Sequence, residues 1–281
     1  MRQPRGDNRG ILHPARLRRH VRFRRHLPAP ALRRHVEHYW LVDWDLSEPF
    51  AQHVVPHPAV NVVFQRDGAG PTRAEVSGVG LELFTITLTG VGTVSGVQFR
   101  PGGFRPFWPG SVAELTGRRL SFAVLADRWP PANAALAGSA GAGAGPPPAD
   151  PCVGTDTERC QALDALLADA RPAADPVNDE VVGLVEAIRF DRSVLRVDDF
   201  ARRHGQSVRR LQRLFLTHVG VGPKWVIRRY RLHEAIERAA GDPPDWATLA
   251  ADLGYSDQAH LVRDFTAVAG VPPTSYTRAH T

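Results

Sequence analysis

A chain of 281 residues is long enough for two domains, each burying its own core. Its 35 Lys+Arg against 29 Asp+Glu give a formal net charge of +6, which favours a polyanionic partner. Two cysteines, Cys152 and Cys160, exclude a disulfide framework or a cysteine-built metal site, and the absence of a long apolar run or secretory segment predicts a soluble, cytoplasmic protein. Lys224 is the single lysine, so the basic character is almost wholly arginine.

Residues 1–26 cluster Arg16, Arg18, Arg19, Arg22, Arg24 and Arg25 and contain no serine, unlike a transit peptide. Such a segment is expected to be a disordered basic arm adding phosphate contacts. From residue 27 to about 129 the pattern changes. A short helix is predicted over 32–39, then strands over 52–55, 59–65, 81–88 and 91–99, each bounded by Gly, Pro or Asp. Ser111 is placed to cap a short helix to 115, and 122–129 reads as another. The expectation is a small, mainly antiparallel β domain rich in rings: Trp40, Trp44, Phe64, Phe99, Phe104, Phe107 and Trp108. Those rings either fill the core or wall a pocket. If they wall one, Trp40, Trp44, His57, Asn61, Phe99 and Arg100 are the candidate ligand residues.

Residues 130–151 are dominated by Ala, Gly and Pro and read as a flexible linker. A connecting helix follows over 157–170, with Leu163, Leu166, Leu167 and Ala170 at helical spacing, able to pack on the β domain or on a second copy. After the break at 172–176, residues 177–190 carry Val181, Leu184, Val185 and Ile188 on one helical face and open the last domain, 172–281.

That domain repeats itself. Val197, Phe200, Ala201 and Gly205 recur forty-nine places later as Trp246, Leu249, Ala250 and Gly254, and Leu211 and Phe215 recur fifty later as Leu261 and Phe265. Gly220-Val221-Gly222-Pro223 returns as Gly270-Val271-Pro272-Pro273. Each copy reads as helix, tight turn, helix. In the first, Asp198 and Asp199 open a helix that Arg202, Arg203 and His204 close, matching the macrodipole, and Gly205 ends it. Ser207 caps the next helix, where Val208, Leu211, Leu214 and Phe215 form the apolar stripe. Arg209, Gln212 and Arg213 share another face, and such side chains suit guanine and adenine edges as well as phosphates. In the second copy Ser256 or Asp257 is the cap, and Gln258, His260 and Arg263 point outward beside Asp264. Pro223 starts a linker helix to about residue 240, near the length that would set two reading helices on one side of a duplex.

The runs from Gly205 to Phe215, Leu253-Gly254-Tyr255-Ser256-Asp257-Gln258-Ala259-His260-Leu261, Arg263-Asp264-Phe265 and Gly270-Val271-Pro272-Pro273-Thr274-Ser275-Tyr276 resemble the AraC/XylS-type DNA-binding domain. The resemblance implies a bacterial transcription regulator with two helix-turn-helix units on one linker helix. It places DNA contacts on Ser207, Arg209, Arg210, Gln212 and Arg213, and on Gln258, His260 and Arg263, with Ala259 as a departure at one contact position. Trp40 to Leu46, Pro56 to Phe64 and Gly96 to Gly103 resemble an uncharacterised sensor-like domain that precedes such units. The expected class is α+β, an antiparallel β domain followed by an all-α domain. The implied partner is double-stranded DNA, with RNA polymerase and a small-molecule effector as candidates, no membrane, and either a monomer or a homodimer. No cofactor or metal is implied.

Two other readings weigh less. His53 and His57 would come together for a metal on a helix, but Pro56 and the β-rich neighbourhood argue against one there; as strand residues they stand roughly 13 Å apart, too far for one ion without other ligands. Neither a nucleophile elbow nor the cysteines of an alkyl-transfer protein are present, so no enzyme is expected. A nonspecific or RNA-binding protein is disfavoured because A-form RNA does not open its major groove to helices.

Overall fold

The computed structural model describes residues 10–125, 149–170, 172, 175–240 and 244–278. Most of the expected linker and the tail of the helix expected over 122–129 lie outside these residues.

The N-terminal part is built on one six-stranded antiparallel sheet in the order β1-β2-β5-β3-β4-β6. Its strands are β1 (Val21–His26), β2 (Val36–Val54), β3 (Asn61–Asp67), β4 (Arg73–Ser77), β5 (Phe84–Phe99) and β6 (Arg119–Ser121). The long strands β2 and β5 pair along nearly their whole lengths, with irregularities near His38 and between Leu46 and Phe50. Trp40 and Trp44 lie opposite Gly96 and Gly92, and their indoles occupy the space that a Cβ at either glycine would need. One sheet face buries Tyr39, Val62, Phe64, Val97 and Phe99 together with Phe104, Phe107 and Phe122. Helix α2 (Asp156–Asp169) closes that face with Leu163 and Leu167. The connecting helix thus packs on its own β domain. The opposite face gathers Trp44, Phe50, Leu88 and Val94 under α1 (Pro14–His20).

Three local expectations are corrected. Residues 10–26 are not a disordered arm but form α1 and β1, and β1 pairs with β2 from Val21↔Trp44 to His26↔Tyr39. Val21 and Phe23 alternate with Arg22 and Arg24, a strand pattern that the charge density obscures. Arg24 is neutralised there by Asp43 and Asp156. The helix expected over 32–39 is instead a single turn, Pro30–Leu32, followed by β2, because its β-favouring Val36, Tyr39 and Trp40 pair with β5. The expected strand over 52–55 is the end of β2, while β4 and β6 were too short and polar to be seen.

The C-terminal part is helical: α3 (Asn178–Phe190), α4 (Val197–Arg203), α5 (Val208–His218), α6 (Pro223–Ala239), α7 (Trp246–Asp252), α8 (Gln258–Ala269) and α9 (Pro273–Arg278). It holds two cores. Phe200, Leu211, Phe215, Val226 and Tyr230 form one; Ile236, Leu249, Leu261, Phe265 and Tyr276 form the other. Neither is closed by helices alone, because Val79 enters the first and Leu12 and Val55 enter the second.

Candidate nucleic-acid interface

Helices α4 and α5 make the first helix-turn-helix. Asp198 and Asp199 start α4, Arg202 and Arg203 finish it, and Gly205 follows at φ 62°. The Gln206 amide donates to Ala201 O at 2.8 Å, which turns the chain sharply. The Ser207 hydroxyl accepts from the Arg210 amide at 3.2 Å and caps α5. Leu211, Leu214 and Phe215 face the core, which leaves Arg209, Gln212 and Arg213 exposed on the other side. Arg210 departs from the expectation. Its guanidinium is clamped on Glu180 of α3 at 2.7 and 2.9 Å, so it ties α5 to the domain body and does not join the exposed face. Those hydrogen bonds hold the Glu180 carboxyl below its ordinary range.

The second unit, α7 and α8, repeats this construction. Gly254 has φ 74°, and the Tyr255 amide donates to Ala250 O at 2.9 Å. Asp257 is the cap, accepting from the His260 amide at 2.7 Å. Gln258, Ala259 and Arg263 are exposed. His260 is half-buried: its ring meets Tyr255 edge-on at 5.1 Å, with Nδ1 3.2 Å from the Ser256 hydroxyl. Asp264, the acidic neighbour, is engaged by both oxygens with Arg228 of α6 at 2.7 and 2.6 Å. Its charge is therefore balanced within the protein.

Helix α6 joins the units. Pro223 occupies its first turn, and seventeen residues make it roughly 25 Å long. Its inner face carries a feature the sequence reading missed. Arg229 is 4% exposed and donates to Pro56 O at 3.2 Å and Leu81 O at 2.7 Å, both in the β domain. Burial pushes its pKa down to about 10, and the Trp225 ring lies 4.4 Å from the guanidinium. His233, one turn on, stacks on His57 at 4.3 Å and approaches Pro56 O at 3.3 Å. The signal was present: 226, 229, 230 and 233 share the apolar spacing of α6, so Arg229 lies on its buried face. Around the first unit, Thr116 Oγ1 donates to Gly220 O at 2.7 Å and Ser111 Oγ to Leu216 O at 3.1 Å. Both contacts meet the C-terminal end of α5 and leave its N-terminal half clear.

The six candidate ligand residues do not converge. Phe99 is fully buried in the sheet core against Phe104 and Phe107. Trp40 and Trp44 cover glycines on the opposite face, where Trp40 Nε1 donates to Asn61 Oδ1 at 3.4 Å. His57 belongs to the contact with α6, and Arg100 donates to Arg33 O and pairs with Glu186 of α3. His53 bonds Thr85 Oγ1 at 2.9 Å, away from the His57–His233 stack. No helix among the described residues is long and apolar enough to cross a membrane.

Comparison with known proteins finds two family matches. Residues 200–279 match a family described as "Helix-turn-helix domain", and residues 24–121 match "Domain of unknown function (DUF6597)". No curated protein matches the chain. Among solved structures, ToxT from Vibrio cholerae aligns at a TM-score of 0.41 and 10% identity over 86% of this chain and 97% of that one. Wild-type ToxT bound to an unsaturated fatty acid aligns at 0.39 and 10%, over 85% and 94%. The chain ends in an AraC-type helix-turn-helix domain preceded by a DUF6597 domain, the composition of a DNA-binding transcription regulator.

Proposed function

We propose that the protein reads a specific DNA sequence with α5 and α8 in two adjacent major grooves, and that its β domain governs this reading by direct contact with α6. The exposed set Arg209, Gln212 and Arg213 on a capped, core-anchored helix carries the base-reading part. Three side chains able to make bidentate base contacts, held at the N-terminal half of a second helix, match the docking of such motifs. Gln258 and Arg263 are the corresponding residues of α8, with His260 held on Tyr255 as a weaker contributor. The control part is supported by Arg229 and His233, which seat the linker helix on the loops around Pro56 and Leu81.

Selection of bound duplexes from a random pool, followed by dimethyl sulfate protection at guanine N7 in the major groove, tests the proposal. The expected result is a defined sequence with two protected major-groove segments one helical turn apart on one face. A pool that emerges unenriched would reduce the protein to a nonspecific nucleic-acid binder. Protection of a single groove would make α8 structural.

A further inference from the structure

A cleft of about 610 Å³ opens in the β domain, away from the interface with the helical part. Its floor is one cross-strand row. Arg22 of β1 pairs with Asp43 of β2, Asp43 with Thr93 of β5, and Thr93 with Arg66 of β3. Register partners share a face, so these four polar side chains line up where the apolar core of that face ends. The wall is the start of α2, from which Arg159, 2% exposed, reaches Asp43 at 2.7 Å, Ser95 Oγ and Val94 O.

The charges do not balance. Arg24, behind Arg22, pairs with both Asp43 and Asp156. The two aspartates at the cleft therefore serve two well-placed arginines, Arg24 and Arg159, and leave Arg22 and Arg66 over. Arg22 is 71% exposed and only 3.8 Å from Asp156. Arg66 has no ion pair among the described residues, and its Nε is buried without an acceptor. A buried N–H lacking an acceptor is costly, and an oxyanion seated between Arg22 and Arg66 would satisfy it while meeting both guanidinium charges. The N-terminus of α2 adds little, because Thr155 and Glu158 already close it as a capping box.

We infer that this cleft binds a small anion carrying phosphate or carboxylate groups, held between Arg22 and Arg66 with the Thr93 hydroxyl beside them. The volume suits a metabolite rather than a macromolecule. Guanidinium groups take both oxyanion types in bidentate fashion. Binding itself does not depend on the proposed control of DNA reading; only an effect of the anion on DNA affinity does.

Calorimetric titration of the full chain at constant ionic strength provides the test, with pyrophosphate, citrate and the neutral sugar sucrose as probes. Saturable binding of pyrophosphate or citrate is expected, with none of sucrose. Pyrophosphate alone would assign a phosphate ligand and citrate alone a carboxylate. Arg66→Gln should weaken the binding at least tenfold, and Arg22→Gln, at an exposed position that leaves folding intact, should weaken it severalfold. Arg213→Ala, on the DNA-facing helix, should leave it unchanged. The inference is overturned if neither anion saturates, if both cleft variants bind like the parent, or if Arg213→Ala abolishes the binding. Anion binding lost in Arg66→Gln but without effect on DNA affinity would uphold the site and remove the cleft from the proposed control.

Discussion

Arginine does three different jobs in this chain, and burial separates them. Arg209 and Arg213 are exposed on α5, Arg210 and Arg228 tie helices together through Glu180 and Asp264, and Arg159, Arg229 and Arg231 are interior donors to backbone or side-chain oxygens. Arg213→Ala should accordingly cost about 1–3 kcal/mol of specific binding and relax preference at one base pair. Arg210→Ala should lower thermal stability modestly and leave base preference alone; equal loss of preference in both variants would put Arg210 back on the reading face. Two histidines give a pH signature. Burial pushes His38 down to about 3 and His35 down to about 4, from an unfolded value near 6.5. Between pH 6.5 and those values the unfolded chain takes up protons that the folded one refuses, so stability falls as pH drops. Asp156, held at about 2 chiefly by its hydrogen bond from Arg24, loses its contribution only below about pH 4. Denaturant titrations of His38→Gln between pH 6.5 and 4.5 should therefore show a flatter decline than the parent, by up to roughly 2–3 kcal/mol. Parallel curves would mean that His38 is solvated.

The duplicated unit was the most legible element of the sequence, because its glycines, caps and apolar stripe recur at spacings of forty-nine and fifty and each has a single physical reading. Gly205 and Gly254 both hold left-handed backbone, as their place after a short helix demands. Their surroundings differ: a Cβ at Gly205 meets open space, while one at Gly254 would press on Leu195 at 2.9 Å. Alanine at Gly205 should cost about 1–2 kcal/mol from backbone strain alone. Gly254→Ala should cost more, since Leu195 must also move, and thermal unfolding of the two variants gives the comparison. Equal melting temperatures would count against this packing of α7 on Leu195. The β domain was less legible for the same kind of reason. Strands such as β1 hide alternation under arginines, and β2 and β5 run so long that loops and bulges look like boundaries. Which aromatic residues fill the core and which cover glycines depends on strand register, and the sequence contains no local mark of that. The anion cleft was invisible for this reason as well, since its four floor residues come from four strands.

At the scale of the whole molecule the two halves are not joined by a tether alone. Val79 lies in the core of the first helix-turn-helix, Leu12 and Val55 in that of the second, and Arg229 spans from α6 to Pro56 and Leu81. Ion pairs from α3 to the β domain, Arg189–Glu37 and Arg34–Asp179, flank this seam. A seam of this kind makes each domain part of the other's folding unit, so the full chain should unfold in one calorimetric transition. Val79→Ala removes two methyl groups from a fully buried site and should cost about 2 kcal/mol or slightly more. Val79→Asp buries a charge with no partner among the core residues around it and should divide unfolding into two transitions, the helical part melting first. Calorimetry would resolve the two transitions, and far-ultraviolet circular dichroism recorded on the same sample would assign the helical one, because the helices dominate the dichroism. If Val79→Asp kept one transition and the parent's DNA affinity, the seam would be too weak to transmit anything from the β domain to α6. Should the variant instead split the transition and alter DNA affinity without touching α5 or α8, the contact around Pro56 and Val79 would be the route by which the two halves are coupled.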